Sequence, residues 1–364
     1  MALNSVFLIA GEPSGDVLAA ELIQAFRAGN PDIEISYTGG KAAETAMRGQ
    51  SPVVPMEQMA FMGFWEVLQH LPRVYQNDQI IKDHIRAQRP DLVVLIDYPG
   101  YNLRLARWLN VKGFRSSGMK VVQLVCPQFW AWKPGRLDRI KKYLDAVYPL
   151  LPFESKLLQI AGVEAPYFGH PAAHRVNSGG YDPLGPIALL PGSRLQEWGK
   201  HVKVFDETAR LIGRKAVWYR PSHLSTSEYL HVLRTHGVAA NEDQIRSNVP
   251  EMSGISMALV ASGTATLEVA LRGIPMVVAY KTTAITYTIA KRLIRVPYIS
   301  LVNLILDRPV VQECIQGECV PNKLAHALND ASQKQLWESD YQTLRSLIAL
   351  GNPMPKIAQH ALEV

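Results

Sequence analysis

The chain has 364 residues, 48% of them hydrophobic and 19% charged, long for one domain and sufficient for two with their own cores. Its three cysteines, Cys126, Cys314 and Cys319, form neither a CxxC pair nor an even framework, which argues against a disulfide scaffold and for a reducing cytoplasm. The net charge of +6 suits nucleic acid, anionic lipid or phosphorylated substrates without choosing among them, and no apolar run approaches the ~20 residues of a membrane span.

Residues 6–10 read as a short buried strand with no signal peptide ahead of it. The loop Gly11-Glu12-Pro13-Ser14-Gly15-Asp16 follows, then a helix over 17–27, a strand over 33–37 ending at Gly39-Gly40, and a broadly apolar helix over 61–71. A polar-faced helix over 76–89 leads to the strand 91–96 and Asp97. A helix at 102–109, a strand at 120–125, a basic helix at 136–143 and a strand at 145–150 complete the first alternation. The stretch RVNSGGYDPLGP at 175–186 breaks all periodicity and reads as a linker between a domain over 1–174 and another over 187–340. There the pattern resumes: strand 187–190, loop 191–194, helix 200–212, strand 216–219, helix 227–236, strand 256–260, helix 265–271 and strand 276–280. Residues 282–306 read as helix then loop, and helices follow at 321–332, 341–350 and 356–362. The segment 341–364 is free to pack back on the first domain. Strands alternating with helices predict an α/β protein of two doubly wound domains, whose strand-end loops face a central cleft.

Several segments carry candidate chemistry. In ASGTATLE at 261–268, free N–H groups and the positive end of a helix dipole at Ser262, Gly263 and Thr264 suit a phosphate, although the same residues also serve as a plain helix cap. Glu268, about one helical turn beyond, is placed to accept from ribose hydroxyls. In Pro191-Gly192-Ser193-Arg194, Gly192 allows close backbone approach, and Arg194 either forks onto a diphosphate or faces solvent. Asp97, at the carboxyl end of a strand, either acts as a base on a crevice or caps the next helix. The loop 11–16 matches neither GxGxxG nor GxxxxGK[ST], which excludes nucleoside-triphosphate hydrolysis and argues against dinucleotide binding. No Asp-x-Asp pair is present for a catalytic divalent cation, and Pro171 between His170 and His174 favours a structural or substrate-contacting His170 over a metal ligand. Phe129, Trp130 and Trp132 precede Lys133, Arg136, Arg139, Lys141 and Lys142, which reads as a nucleic-acid surface or an ordinary solvated helix. Phe61, Met62, Phe64 and Trp65 read as core or as a membrane anchor.

Taken in order and spacing, these segments resemble one family. GEPSGD at 11–16, IDYPGYNLRLA at 96–106, CPQFWAWKPGR at 126–136, LPFE at 151–154 and GHP at 169–171 span the first half. PGSR at 191–194, ASGTATLE at 261–268, PMVVAYK at 275–281, TYTIAKRLIRVPYISLVNLI at 286–305 and QECIQ at 312–316 span the second. The ten blocks are similar to those of the lipid-A-disaccharide synthase family over nearly the whole chain. The resemblance implies a GT-B fold and an inverting transfer from UDP-2,3-diacylglucosamine to 2,3-diacylglucosamine 1-phosphate (lipid X), with no cofactor, no metal and no nucleic acid. It implies Asp97 as base and places Gly192, Ser193, Arg194, Ser262, Gly263, Thr264, Glu268 and Asn303 in the UDP-binding region. The acceptor side is expected at Ser14, Gly15, Asp16, Phe64, Trp65 and His170. A cytoplasmic enzyme held peripherally on the anionic inner face of the inner membrane, and a homodimer through the second domain, complete the expectation. The chain departs from the family at Gly100, where many relatives carry an acid, at TGGKAAETAM, and at Val302 and Gln312, where prolines are usual. These departures bear on the acceptor. They keep open a UDP-sugar epimerase, a paralogue with another acceptor, and a non-catalytic nucleotide-sugar-binding protein.

Overall fold

The computed structural model describes residues 3–59, 71–247, 249–293, 296–334 and 337–364. Residues 61–70 of the expected apolar helix, with Phe61, Met62, Phe64 and Trp65, lie outside them. The chain divides into two compact units, Met1–Gly169 with Gly351–Val364, and His170–Leu350.

In the first unit, β1 (Ser5–Ala10), β2 (Glu34–Thr38), β3 (Leu92–Ile96), β4 (Lys120–Leu124) and β5 (Ala146–Tyr148) form a parallel sheet in the order β2-β1-β3-β4-β5. Its helices are α1 (Pro13–Gly29), α2 (Lys41–Ala46), α3 (Leu71–Gln88), α4 (Pro99–Val111), α5 (Arg136–Tyr143) and α6 (Pro152–Ile160). Successive strand residues point to opposite faces, so β1 and β3 each feed two cores. Val6, Leu8, Leu92 and Val94 pack with Leu18, Leu22 and Phe26 of α1 on one side. On the other, Phe7, Ile9, Val93 and Leu95 pack with Ile81 and Ile85 of α3 and Leu105 and Leu109 of α4.

The second unit holds β6 (Ile187–Leu190), β7 (Ala216–Tyr219), β8 (Ile245–Arg246), β9 (Met257–Ala261), β10 (Met276–Tyr280) and β11 (Gln312–Ile315). They form a parallel sheet in the order β11-β10-β9-β6-β7-β8. Its helices are α7 (Pro171–Arg175), α8 (Leu195–Ile212), α9 (Thr226–Thr235), α10 (Thr264–Leu271), α11 (Ala284–Leu293), α12 (Leu301–Leu306), α13 (Pro321–Lys334) and α14 (Trp337–Ile348). Trp198, Val202 and Phe205 of α8 and Leu324 and Leu328 of α13 close its core against Leu189, Leu259 and Val277. A last helix, α15 (Pro353–Glu363), belongs to the first unit.

Two boundaries differ from expectation, one being the return to the first unit, which begins at Gly351 and not at 341. The division falls at Gly169–His170, and much of the stretch expected as linker is bonded into the second unit. Gly180 N–H donates to Arg272 O and Asp182 N–H to Ile255 O, both at 2.9 Å, and the Arg272 side chain donates to Asn177 O at 2.8 Å. Hydrogen bonds of that kind leave no hydrophobic period in the sequence. The edge strands β8 and β11 were also unexpected; β8 has two residues and β11 is the polar QECI.

Candidate active site

In the first sheet the strand order reverses between β1 and β3, and an open α/β sheet leaves its crevice at the carboxyl ends on either side of such a reversal. The loop 11–16 leaves β1 there, and Asp97 leaves β3. Ser14 Oγ donates to Asp97 Oδ2 at 3.1 Å. Asp97 and Tyr98 are both left-handed, with φ of 49° and 46°; aspartate tolerates that region, whereas a bulky tyrosine is strained there and persists where its surroundings over-determine it. The restraints are visible. Asp97 N–H donates to Leu124 O at 3.0 Å, and its carbonyl accepts from Asn102 Nδ2 at 2.5 Å and Gln123 Nε2 at 3.1 Å. Asn102 and Gln123 are fully buried, so the backbone that aims the carboxylate is fixed from beneath. The sequence reading missed both. The available signal was a glutamine inside the otherwise apolar run VVQL.

Asp16 is placed differently from expectation. It is buried, and its carboxylate accepts from Gly40 N–H at 2.7 Å, Ala42 N–H at 2.9 Å and Ala43 N–H at 3.2 Å, capping α2 from α1. A Cβ at Gly39 or Gly40 would lie 2.9 or 3.0 Å from those oxygens, which explains the paired glycines. Asp16 therefore holds the segment 40–43. Gly15 is buried under the strand ends, its Cβ position 3.6 Å from Ala10 Cβ and Ile96 Cγ2. His170 is also reassigned: it opens the second unit and caps α7, Nδ1 accepting from Ala172 N–H at 3.0 Å. Burial, with Arg175 nearby, lowers its pKa to about 4, so the ring is neutral and structural. Phe64 and Trp65 lie outside the described residues.

In the second sheet the reversal falls between β6 and β9, so the loops 191–194 and 262–264 flank it. The two helix starts there are unlike. At α8, Glu197 Oε2 accepts from Ser193 N–H at 3.0 Å and Arg194 N–H at 3.2 Å, and a Cβ on Gly192 would lie 2.1 Å from that oxygen. The helix closes on its own carboxylate, leaving the exposed Arg194 side chain as its contribution. At α10, no side chain caps the start, Gly263 adopts φ 157° and ψ −167°, a region closed to side chains, and Gly263 and Thr264 are exposed. Of the two helix starts at the reversal, the one left without a side-chain cap is that of α10. Burial raises the Glu268 pKa against the pull of Arg175.

Two further networks fix these loops. His201, fully buried on α8, donates from Nδ1 to Pro191 O and accepts at Nε2 from Lys281 N–H, both at 3.0 Å. A carbonyl only accepts and an amide only donates, so the neutral Nδ1–H tautomer is required. This ring ties the loop after β6 to the end of β10. Asn303, expected at the nucleotide, has no capacity left for it. Its Nδ2 donates to Val311 O at 2.8 Å and Glu313 Oε1 at 2.9 Å, and its Oδ1 accepts from Val310 and Val311 N–H, both at 2.9 Å. Glu313 also accepts from Ile299 and Ser300 N–H, each at 2.9 Å, and Ser262 Oγ donates to Ile299 O at 2.8 Å. Asn303 and Glu313 therefore position the segment on which Ser262 rests. A cavity of about 550 Å³ by the starts of β10 and β11 is lined by Met276, Gln312, Trp337 and Tyr341 together with Asn303 and Glu313 of this network.

A family model described as lipid-A-disaccharide synthetase matches residues 6–352. The chain is similar to the lipid-A-disaccharide synthase of Coxiella burnetii (strain Dugway 5J108-111), 34% identical over 378 residues that cover 99% of this chain and 98% of the relative. Among solved structures, the glycotransferase of kitacinnamycin aligns with a TM-score of 0.63 at 13% identity, covering 100% of both chains. The UDP-N-acetylglucosamine 2-epimerase of Rickettsia bellii aligns with a TM-score of 0.54 at 11% identity, covering 99% of this chain and 96% of that one. At such identities the likeness speaks for the fold, which is GT-B.

Proposed function

The chain belongs to the lipid-A-disaccharide synthetase family, and from that premise we propose that it joins UDP-2,3-diacylglucosamine to lipid X, giving a β(1→6) disaccharide 1-phosphate and UDP. The acceptor 6-hydroxyl loses its proton to Asp97 as its oxygen attacks the anomeric carbon from the face opposite UDP. The anomeric C–O bond breaks, its electron pair leaves on the diphosphate, and configuration inverts without a covalent intermediate. Charge developing on the diphosphate meets the N–H groups at the start of α10 and the Arg194 guanidinium. Glu268 accepts from the ribose.

The observation that carries this reading is the doubly left-handed, amide-locked backbone at Asp97, with Ser14 on its carboxylate. Epimerases share the fold, so fold does not choose between the two activities; the family and a base poised for a hydroxyl acceptor favour transfer. Asp97→Asn is expected to lower turnover of the acylated donor and acceptor roughly 10²–10⁴-fold while UDP affinity stays near wild type. A near-normal rate would place the base elsewhere, and epimerisation of UDP-N-acetylglucosamine by the wild type would favour the rival.

Both substrates carry acyl chains, yet among the described residues no helix is long and apolar enough to cross a membrane. The reading therefore extends to peripheral, salt-sensitive association with an anionic surface, carried by the apolar residues Phe61, Met62, Phe64 and Trp65 and the cations of α5. Wild type should float with anionic vesicles at low salt and Phe64→Ser/Trp65→Ser should not. Equal flotation of both, or none by the wild type, removes this extension.

A further inference from the structure

Lys133 and Arg136 both lie over the ring of Trp132, in the loop that leaves β4. Lys133 Nζ lies 4.1 Å and Arg136 Cζ 5.0 Å from the ring centroid. The base of this loop is rigid. Cys126, Phe129 and Ala131 are buried, Trp130 Nε1 donates to Glu154 Oε1 at 2.9 Å, and the Trp130 ring meets Phe153 edge-on at 4.9 Å. Trp132, by contrast, is 38% exposed. The cations therefore follow directly on a packed loop base.

Their charge is not neutralised. Arg115 has Asp145, Lys82 has Asp78 and Arg308 has Asp340, whereas among the described residues no carboxylate pairs with Lys133, Arg136 or Arg139. Arg136 is half-buried and donates to Gln128 O at 3.4 Å; burial and the neighbouring Arg139 both lower its pKa. Crowding cations around a partly desolvated guanidinium disfavours the empty site, and an arriving dianion reverses that cost.

The placement says which dianion. β4 pairs with β3, and Asp97 N–H is bonded to Leu124 O, so the loop and the base leave neighbouring strand ends. In an α-hexopyranose 1-phosphate the hydroxymethyl that carries the 6-hydroxyl and the anomeric phosphate leave opposite faces of the ring, from the two carbons that flank the ring oxygen. A base for the hydroxyl thus requires an anion site about one sugar away. We propose that Lys133 and Arg136, with Arg139 behind them, bind the phosphomonoester of the sugar 1-phosphate acceptor, a role that rests on the reaction proposed above. The guanidinium forks onto two phosphate oxygens, and the ammonium contacts the third.

The test is equilibrium binding, in detergent micelles, of lipid X and of the same lipid without its phosphate, to wild type and to Lys133→Gln/Arg136→Gln. The double variant should bind lipid X about tenfold or more weakly, with its affinity for UDP and for the dephosphorylated lipid unchanged. Arg136→Lys should recover part of the loss. Wild type that does not distinguish the two lipids, or a double variant that distinguishes them as well as wild type, overturns the proposal. In the latter case, reduced flotation with anionic vesicles would assign the cations to a bilayer's phosphates. Should the double variant melt early, the exposed single change Lys133→Gln is measured by the same comparison. Phosphate-dependent binding without turnover would retire the reaction while leaving the phosphate site in place.

Discussion

Glu154 lies inside the first unit, and burial pushes its carboxyl up to about 7, against the donors Trp130 and Leu151 that pull it down. The ordinary value is 4.5, so as pH rises the unfolded chain loses this proton before the folded one does. Stability from this site is complete below pH 4.5 and is lost as pH climbs towards 7, by about 3 kcal/mol in all. His170, in the second unit, works in the other direction: its pKa falls from 6.5 to about 4. Below pH 6.5 the unfolded chain binds a proton that the folded chain refuses, and stability drops by a similar amount as pH falls to about 4. Denaturant unfolding from pH 4 to 8 should therefore change slope on single substitution. Glu154→Gln flattens the loss on the alkaline side, and His170→Asn, which keeps a capping oxygen, flattens the loss on the acid side. Profiles that keep the wild-type slopes would show that neither group is perturbed.

At the scale of elements, what could be read from the sequence was what a short window contains. β3 (LVVLI), β9 (MALVA) and β10 (MVVAY) are buried almost throughout, and parallel strands covered on both faces are continuous apolar runs. Their ends, and so the positions of Asp97 and Ser262, followed directly. β11 escaped notice because an edge strand keeps polar residues, and α2 because its cap, Asp16, lies 24 residues before Gly40. The same distance rule explains one of the misplaced site residues. Asn303 answers to Glu313, a partnership that spacing does not mark, whereas the His170 ring caps its own helix two residues on and only its backbone amide answers to Ile348. Glu197 was within partial reach: a carboxylate three residues after a helix start is one half of a capping box, although Arg194, which only donates, stands where the full pattern has Ser or Thr. Read that way, α8 and α10 would have separated at once into a helix start closed by its own side chain and one left open.

For the molecule as a whole, the chain crosses from the first unit to the second at His170 and returns at Gly351, so the first unit is assembled from both ends of the described sequence. The returning piece is small but well anchored. Asn352 caps α15, accepting from Met354 N–H at 3.1 Å, and Tyr148 Oη lies 3.0 Å from His360 Nδ1. Met354, Ile357, Ala358 and Ala361 are buried in the same core as Leu18, Leu22 and Phe26 of α1. Burying a Met or Ile side chain contributes roughly 1.5–3 kcal/mol, so these four residues together supply several kcal/mol. That is a large part of the ~5–15 kcal/mol margin of a typical domain. No residue of 351–364 is among those in the core of the second unit around Trp198, Phe205 and Leu328. Truncation after Leu350 should therefore unfold the first unit selectively, with new binding of a hydrophobic dye and rapid proteolysis of residues 1–169. The second unit should survive as a protease-resistant fragment near His170–Leu350 that still binds UDP. A truncated chain with the wild-type melting profile would mean that α15 covers α1 without stabilising it; simultaneous loss of both units would mean that they do not fold independently.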